Sequence, residues 1–419
     1  MKKYLTLLCA LTLATTAWAE GAPVGVPTDP LAPNLTFRQL GEDKKSLLEE
    51  ATGTNVTAPT NSLWQPIGET TQAQSFVVDA SPVTSSRADA RATGQFGALA
   101  APEGKVVKQL AFDGWIVTSP LPYDEGLIVA TENSLTRLNP NEGDVIWSLD
   151  LNGRVAPMAL SGQRLFLATD AGEVMGIDAV SGKLLWRVQD ENLVYRAGVA
   201  VADGRVFVGD MTKTLRALDA RNGAELWTKK LSRGLTATPL VAEGLLLVGQ
   251  NDTTFEALDP ATGKTVFSGG TSAGIYHSAT SKDGVVYFAG DDGVVKATKI
   301  DKVIPLWQST ALGSPVSSPL PSGKRVFIAT TDGTIYCLDA ATGKALTKTH
   351  VGAPLATEPV LVNDELLALA DGNGTVHLIW FDENRAEKVT LESGGSDASP
   401  VAALGSLWVP SGRMLVEIR

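Results

Sequence analysis

The chain has 419 residues, 44% hydrophobic and 19% charged, with 41 glycines and a formal net charge of −11 at pH 7. Such a composition belongs to a globular, turn-rich protein, long enough for one large domain or two ordinary ones. The acidic balance argues against nucleic acid and anionic membrane surfaces as ligands, because both reward clustered lysine and arginine.

The N-terminus reads MKKYLTLLCALTLATTAWAEG. Lys2 and Lys3, an apolar run from Leu5 to Ala14 and Ala17-Trp18-Ala19 form the layout of a secretory signal over residues 1–19, with cleavage expected after Ala19. The apolar run is too short to span a bilayer. Cleavage removes two lysines and no acids, taking the net charge to −13. Cys9 follows Leu8, whereas lipoprotein processing needs a small residue there, so Cys9 is expected to leave with the signal. Cys337 is then the single mature cysteine, with no intrachain disulfide available. Its alternating context, TIYCLDA, marks it as a buried small hydrophobe.

Residues 20–103 are rich in Ala, Thr, Ser, Pro and Gly and read as a low-complexity linker or tether, largely unstructured. Thr36–Ala51 could form a short helix with Leu40, Leu47 and Leu48 on it. Two apolar islands, Ser62–Ile67 (SLWQPI) and Ser75–Val78 (SFVV), are candidates for docking onto the domain or a partner.

From residue 104 the chain repeats itself. The residue four after the Gly of each Gly-Lys-like turn is Lys108, Trp147, Trp186, Trp227, Phe267, Trp307, Thr347 and Val389, in steps of 39 to 42 residues. Each period holds an opening strand such as TPLVA, an apolar strand such as LLLVG, an alternating strand such as TFEALD, and a strand ending at the aromatic. Four short strands per period of about 40 residues predict an all-β, eight-bladed β-propeller of four-stranded antiparallel blades over residues 104–419. The last period, ASPVAALGSLWVPSGRMLVEIR, stops before a fourth strand, while GKVVKQL at Gly104–Leu110 is a fourth strand with no blade. The two predict a ring closed by the N-terminal strand, which removes two open sheet edges. Lys108, where other blades carry Trp, suggests a more exposed seam. The recurrent tryptophans read as inter-blade packing.

No catalytic, cofactor-binding or metal-ligating set emerges from spacing. The histidines are His277, His350 and His377, none with a partner at ligand spacing. His377, in TVHLIW, reads as a packed strand residue, and His277 and His350 fall before the first strands of their blades, on loops at one face of the ring. Asp291–Gly293, Thr331–Gly333 and Asp371–Gly374 read as hairpin turns rather than calcium loops.

The recurring ALDxxTGKxxW pattern resembles the pyrroloquinoline-quinone (PQQ) type propeller repeat, over roughly residues 104–419. Quinoprotein alcohol dehydrogenases share that repeat and would imply PQQ and calcium, but they are longer and carry adjacent cysteines, which this chain lacks. Its size and eight-blade closure are similar to the BamB family, periplasmic propeller subunits of the outer-membrane β-barrel assembly machinery. That family grips its partner through two loops, of Leu-x-Leu-Arg and Asp-x-Asp-Thr-Thr-Pro character. Here ENLVYRAGVAV matches the first in type and order at Leu193, Tyr195 and Arg196. The second loop, LSRGLTATP, has Gly234 and Thr236 in place of the aspartates and keeps Thr238-Pro239. The resemblance implies a non-enzymatic, monomeric interaction scaffold for envelope proteins, a β-barrel assembly factor among them. It would be periplasmic or peripheral to the outer membrane and held there through partners, with Leu193, Tyr195 and Arg196 as partner-binding residues. The alternatives are a PQQ-dependent dehydrogenase-like propeller and a ligand- or polysaccharide-binding one. The family is normally lipid-anchored with a short pre-propeller segment, and this chain departs from both.

Overall fold

A computed structural model describes residues 102–300, 304–383 and 385–419, with the backbone of Arg38–Gln39 and Val83–Ser85. The signal sequence, the two apolar islands and most of residues 20–103 lie outside the described residues. Arg38–Gln39, inside the stretch expected as a helix, form a strand instead, paired with Phe267 and Ser268. The edge of a sheet offers unpaired backbone groups that capture a passing extended segment.

The described chain from Val106 to Ile418 forms eight antiparallel sheets, each with four consecutive positions from the axis outward. Blade 2, for example, runs Ala159–Ser161, Arg164–Ala168, Glu173–Asp178 and Leu184–Gln189 from first to fourth strand. Blade 3 repeats it with Ala200–Ala202, Arg205–Gly209, Thr214–Asp219 and Glu225–Lys230. The eighth blade takes its first three strands, Val401–Ala403, Ser406–Ser411 and Met414–Ile418, from the C-terminus. Its fourth is Val106–Ala111, with Leu110 opposite Leu415 and the ends locked by reciprocal Lys105–Arg419 backbone bonds of 2.9 and 3.0 Å. The ring closes as the repeat count requires.

Alternation along the middle strands leaves apolar side chains on both faces, because each sheet is covered by a neighbour on either side. The core is accordingly a circle of inter-blade layers. One joins Trp186 and Val188 of blade 2 to Val206, Val208 and Leu218 of blade 3. Another joins Phe327 and Cys337 of blade 6 to Leu367, Leu369 and Phe381 of blade 7. Cys337 is thus a buried apolar filler, as its strand context predicted.

The tryptophans show why the Gly-Lys turn repeats. The indole Nε1 of Trp147, Trp186, Trp227 and Trp307 donates to Ala179, Ala220, Pro260 and Ala340 of the following blade, at 3.1, 3.0, 3.1 and 2.8 Å. The ring lies on the glycine of that blade's turn: a Cβ on Gly223 would stand 2.6 Å from Trp186, and on Gly343 2.3 Å from Trp307. The sheet bulges beside the aromatic, the register shifting just after the residue that faces it, as at Ala217/Leu218 opposite Trp227. Lys108 was expected to mark a more exposed seam. It is half-buried, and its ammonium donates to Pro140 O at 2.9 Å and to Asn141 O, on the turn that other blades offer to an indole. A long flexible stem with a terminal donor performs the docking bond without the ring.

Candidate partner-binding face

One end of the ring carries the connections between blades together with each second-to-third turn; the first-to-second and third-to-fourth turns occupy the other. The connection into blade 3 is fixed by its backbone. Leu193 N–H donates to Asp190 O at 3.0 Å, Met211 N–H to Val194 O at 3.0 Å, and Val199 N–H to Pro157 O at 3.2 Å. Gly172 permits the approach, since it has φ +82° and a Cβ there would sit 2.0 Å from Asp190 O.

The three predicted residues therefore share one rigid loop but point differently. Leu193 and Tyr195 are 6% and 1% exposed, packed with Trp186, Val188 and Val199 between blades 2 and 3. Arg196 alone of the three is exposed. Tyr195 fills a place the repeat gives to an apolar plug elsewhere: Ile116, Val155, Leu235, Ile275 and Leu355 are all buried there. Its backbone N–H reaches Thr169 O at 3.4 Å, as Leu235 reaches Asp210 O at 3.3 Å and Ile275 Gln250 O at 3.2 Å.

Polar groups are buried beneath this loop. Among described groups the Tyr195 hydroxyl has no hydrogen-bond partner. Burial pushes its phenol well above the ordinary value, against the pull of the Arg216 guanidinium. Arg216 pairs with the buried Asp210 and lies 3.5 Å from Glu225. Asp210 also accepts from Thr214 N–H and Thr212 Oγ1 at 3.0 and 2.8 Å, closing the turn. The same six-residue spacing recurs as Gln250–Glu256 at 3.1 Å and Asp371–His377 at 3.0 Å. His377 is buried in its strand, as its context predicted. His350 ends a fourth strand rather than standing on a loop, its Nδ1 3.2 Å from Thr334 Oγ1.

In the next loop, Gly234 lies against Met211: a Cβ would come within 2.8 Å of its backbone. A larger residue cannot stand there without moving the neighbouring turn. Ser232 and Thr236 tie this loop to Gln250 and Asn251, with Ser232 Oγ to Gln250 Oε1 at 2.7 Å and Thr236 Oγ1 to Asn251 Oδ1 at 2.8 Å. Arg233 is exposed. Trp115 and Tyr276 add half-exposed aromatics at 50% and 43% on connections of the same end. Sequence reading passed over both; the available signal at Tyr276 was an aromatic where the neighbouring repeats carry Thr236 and Val316.

Around the axis, hydroxyls spaced by about one repeat join blade to blade. Thr238 Oγ1 accepts from Gly198 N–H at 3.0 Å, and Ser278 Oγ from Thr238 N–H at 3.1 Å. Glu358 Oε1 accepts from Ser318 N–H and Oγ at 3.0 and 2.9 Å, and Ser399 Oγ accepts from Glu358 N–H at 2.9 Å. A cavity of about 260 Å³ lies inside this ring, with His277, Glu358 and Asp397 on its wall. His277 Nε2 is 3.0 Å from Pro315 O.

The family model described as outer membrane protein assembly factor BamB matches residues 56–189, 132–208, 171–304 and 291–406. Outer membrane protein assembly factor BamB of Escherichia coli is 29% identical over 356 residues, covering 70% of this chain and 89% of that protein. Serine/threonine-protein kinase AfsK of Streptomyces griseus is 29% identical over 204 residues, 46% of this chain and 21% of that one. A 1-butanol dehydrogenase (cytochrome c) of Thauera butanivorans is 31% identical over 120 residues, 25% of this chain and 17% of its own. The chain thus spans only about a fifth of the kinase and less of the dehydrogenase. Among solved structures, BamB from Moraxella catarrhalis superposes with a TM-score of 0.65 at 19% identity, covering 75% of this chain and 99% of that one. A europium-containing methanol dehydrogenase gives 0.61 at 11% identity, covering 73% and 84%. At those identities the superpositions speak for the fold alone.

Proposed function

The chain belongs to the family described as outer membrane protein assembly factor BamB, and from that premise we propose that it is a non-enzymatic interaction scaffold for the assembly of envelope proteins. The observation that carries the reading is its extent. In sequence, the likeness to the assembly factor of Escherichia coli runs through 89% of that factor, whereas the likeness to the 1-butanol dehydrogenase covers 17% of the enzyme. A shared repeat accounts for the shorter match without shared chemistry.

In this reading the protein is secreted through residues 1–19, works in the periplasm or against the outer membrane, and is held there by its partners. Among the described residues no helix is long and apolar enough to cross a membrane. The partner is an envelope protein, with a β-barrel assembly factor as the first candidate. It meets the end of the ring that carries Arg196, Arg233, Trp115 and Tyr276, where exposed arginine and aromatic groups supply the usual anchors of an interface. Leu193 and Tyr195 serve that contact from beneath by fixing the loop that presents Arg196, so less ordering entropy is lost on binding.

Affinity isolation from envelope extract tests this. Arg196→Glu, with an unchanged thermal transition, is expected to lose the outer-membrane assembly partner that the parent protein recovers. Equal recovery by both proteins removes this surface from the account. Turnover of an alcohol by the protein reconstituted with PQQ and calcium would move it to the dehydrogenase reading.

A further inference from the structure

The third strand of each blade begins where a backbone bond closes the turn before it, as Thr131 N–H to Ser134 O does in blade 1 and Gly290 N–H to Val294 O in blade 5. Two residues beyond that carbonyl, blades 2 to 7 carry Met175, Arg216, Glu256, Lys296, Tyr336 and His377, all large. Several of them, or their cross-strand neighbours, reach the preceding blade. Lys296 Nζ donates to Gly270 O of blade 4 at 2.9 Å, and Glu256 lies 3.5 Å from Lys229 Nζ of blade 3. Lys388, opposite His377, donates to Val351 O of blade 6 at 3.1 Å.

Blade 1 differs. Its third and fourth strands, Ser134–Leu138 and Val145–Asp150, set the small Thr136 opposite the small Ser148, and the two hydroxyls satisfy each other at 3.0 Å. The seam between blades 8 and 1 therefore keeps a slot of about 510 Å³, a volume within the range of ligand sites. Leu110 of the closing strand and Phe112 just after it form one wall, and Thr136, Leu138 and Ser148 form the other, with Asp113 and Asp150 flanking them. Ala111 and Phe112 stand where Gly270 and Val351 stand in their own blades, and both line the slot. Among the described residues of its wall there is no lysine or arginine, and the Lys108 ammonium is engaged by Pro140 and Asn141.

We propose that this slot receives a lysine side chain of a partner protein. Its ammonium takes the place that Lys296 and Lys388 fill at other seams, donating to the main-chain carbonyls at Ala111 and Phe112 and drawn in by Asp113 and Asp150. Its methylene stem lies along Leu110 and Phe112. A protein segment fits better than a free polyamine, because the rim carries Val145, 60% exposed, which suits a residue flanking the lysine and not the second charge of a diamine. The slot also extends to Asp113 and Gly114, on the connection that carries Trp115. The choice of a protein occupant thus rests on the reading of that end as partner-binding, while the slot's preference for an ammonium does not.

Calorimetric titration of the full chain with short synthetic peptides tests the slot by itself. The probes are acetyl-Gly-Leu-Lys-Leu-Gly-amide, the same peptide with norleucine for lysine, and cadaverine. The lysine peptide is expected to bind at least about tenfold more tightly than the norleucine peptide, which keeps the stem and lacks the charge. Ser148→Lys gives blade 1 the side chain that blade 7 has in Lys388, and is expected to weaken the lysine peptide by a similar factor. Thr228→Lys, the corresponding change in blade 3 opposite Arg216, adds the same charge elsewhere and is expected to leave binding unchanged. Asp150→Asn removes one carboxylate from an exposed position and is expected to weaken the lysine peptide several-fold, which keeps the test alive should Ser148→Lys disturb folding. Equal binding of the two peptides, no binding of either, or indifference to both slot variants overturns the proposal. Cadaverine binding as tightly as the lysine peptide overturns the assignment to a partner chain. None of these results bears on recovery of a partner through Arg196, so the two readings fail separately.

Discussion

Replacing Gly223 by Ala tests the inter-blade docking on which the ring rests, because Gly244 supplies a matched control. Both glycines have φ +73°. Alanine at either position carries the same left-handed penalty, about 1–2 kcal/mol. Their surroundings differ. A Cβ at Gly244 meets nothing within 4 Å, whereas at Gly223 it meets the Trp186 ring at 2.6 Å and Val188 at 2.9 Å. The indole cannot retreat freely, since it is 2% exposed, leans on Phe166 at 6.0 Å between centroids, and is tethered to Ala220 O at 3.0 Å. Overpacking of such a site costs about 1–3 kcal/mol beyond the backbone term. For a ring of this size that corresponds to roughly 2–5 °C. Thermal unfolding of both variants at one scan rate measures it, and Trp186→Phe in the Gly223→Ala background should recover part of the loss. Equal shifts for the two glycines would refute the view that the repeat keeps this glycine to seat the indole of the preceding blade.

Four shorter tests concern other parts of the molecule. Lys108→Met keeps the stem but removes the donor to Pro140 and Asn141, and should lower stability by about 1 kcal/mol in a denaturant titration; no change would mean that the ammonium is not part of the closing seam. Burial holds the His377 imidazole below its ordinary 6.5 despite Asp371 at 3.0 Å. For Asp371, hydrogen bonds from Thr375, His377 and Asn373 outweigh the burial that would raise its carboxyl, leaving it below its ordinary 3.8. Both groups therefore stabilise the fold at neutral pH. The histidine contribution falls as pH drops through about 6.5 and that of the aspartate only below about 4, so His377→Gln should flatten the loss between pH 7 and 5 and leave the acid limb. Burial also pushes the Cys337 thiol up, so alkylation should track unfolding, and rapid modification of the native chain would contradict its place in the blade 6–7 layer. Leu193→Ala should cost about 2–4 kcal/mol through the cavity it leaves, whereas Arg196→Glu should stay within about 0.5 kcal/mol; the reverse ranking in unfolding curves would contradict the orientation of this loop.

Strand periodicity and turn chemistry made the fold legible. The closing strand could be found by counting, since a fourth strand without a blade and a blade without a fourth strand must meet. The tryptophans were readable as packing, but their donors were not. That Nε1 seeks a carbonyl on the next blade depends on a distance between sheets that no spacing along the chain expresses. The same gap explains Lys108: its residue type suggested exposure, while its role depends on the Pro140 carbonyl in another blade. At the candidate site, Tyr195 stood in line with Ile116, Leu235 and Ile275, so its burial was available from the repeat itself. The resemblance to a partner-binding motif drew the reading outward instead. Arg196, one residue on, is where the pattern leaves the core. The axial hydroxyls Thr238, Ser278 and Ser318 recur at one repeat and Ser399 follows two repeats on, with Glu358 between, yet only the closed ring shows that they join side by side.

Site-specific photocrosslinking in the living envelope reaches the central claim most directly. A photoreactive residue in place of Arg196 is compared with one in place of Lys324, which is exposed on a first-to-second turn at the opposite end of the ring. An adduct with an outer-membrane assembly protein from position 196, absent from position 324, is the result the account predicts. The same adduct from both positions, or none from position 196, would contradict it.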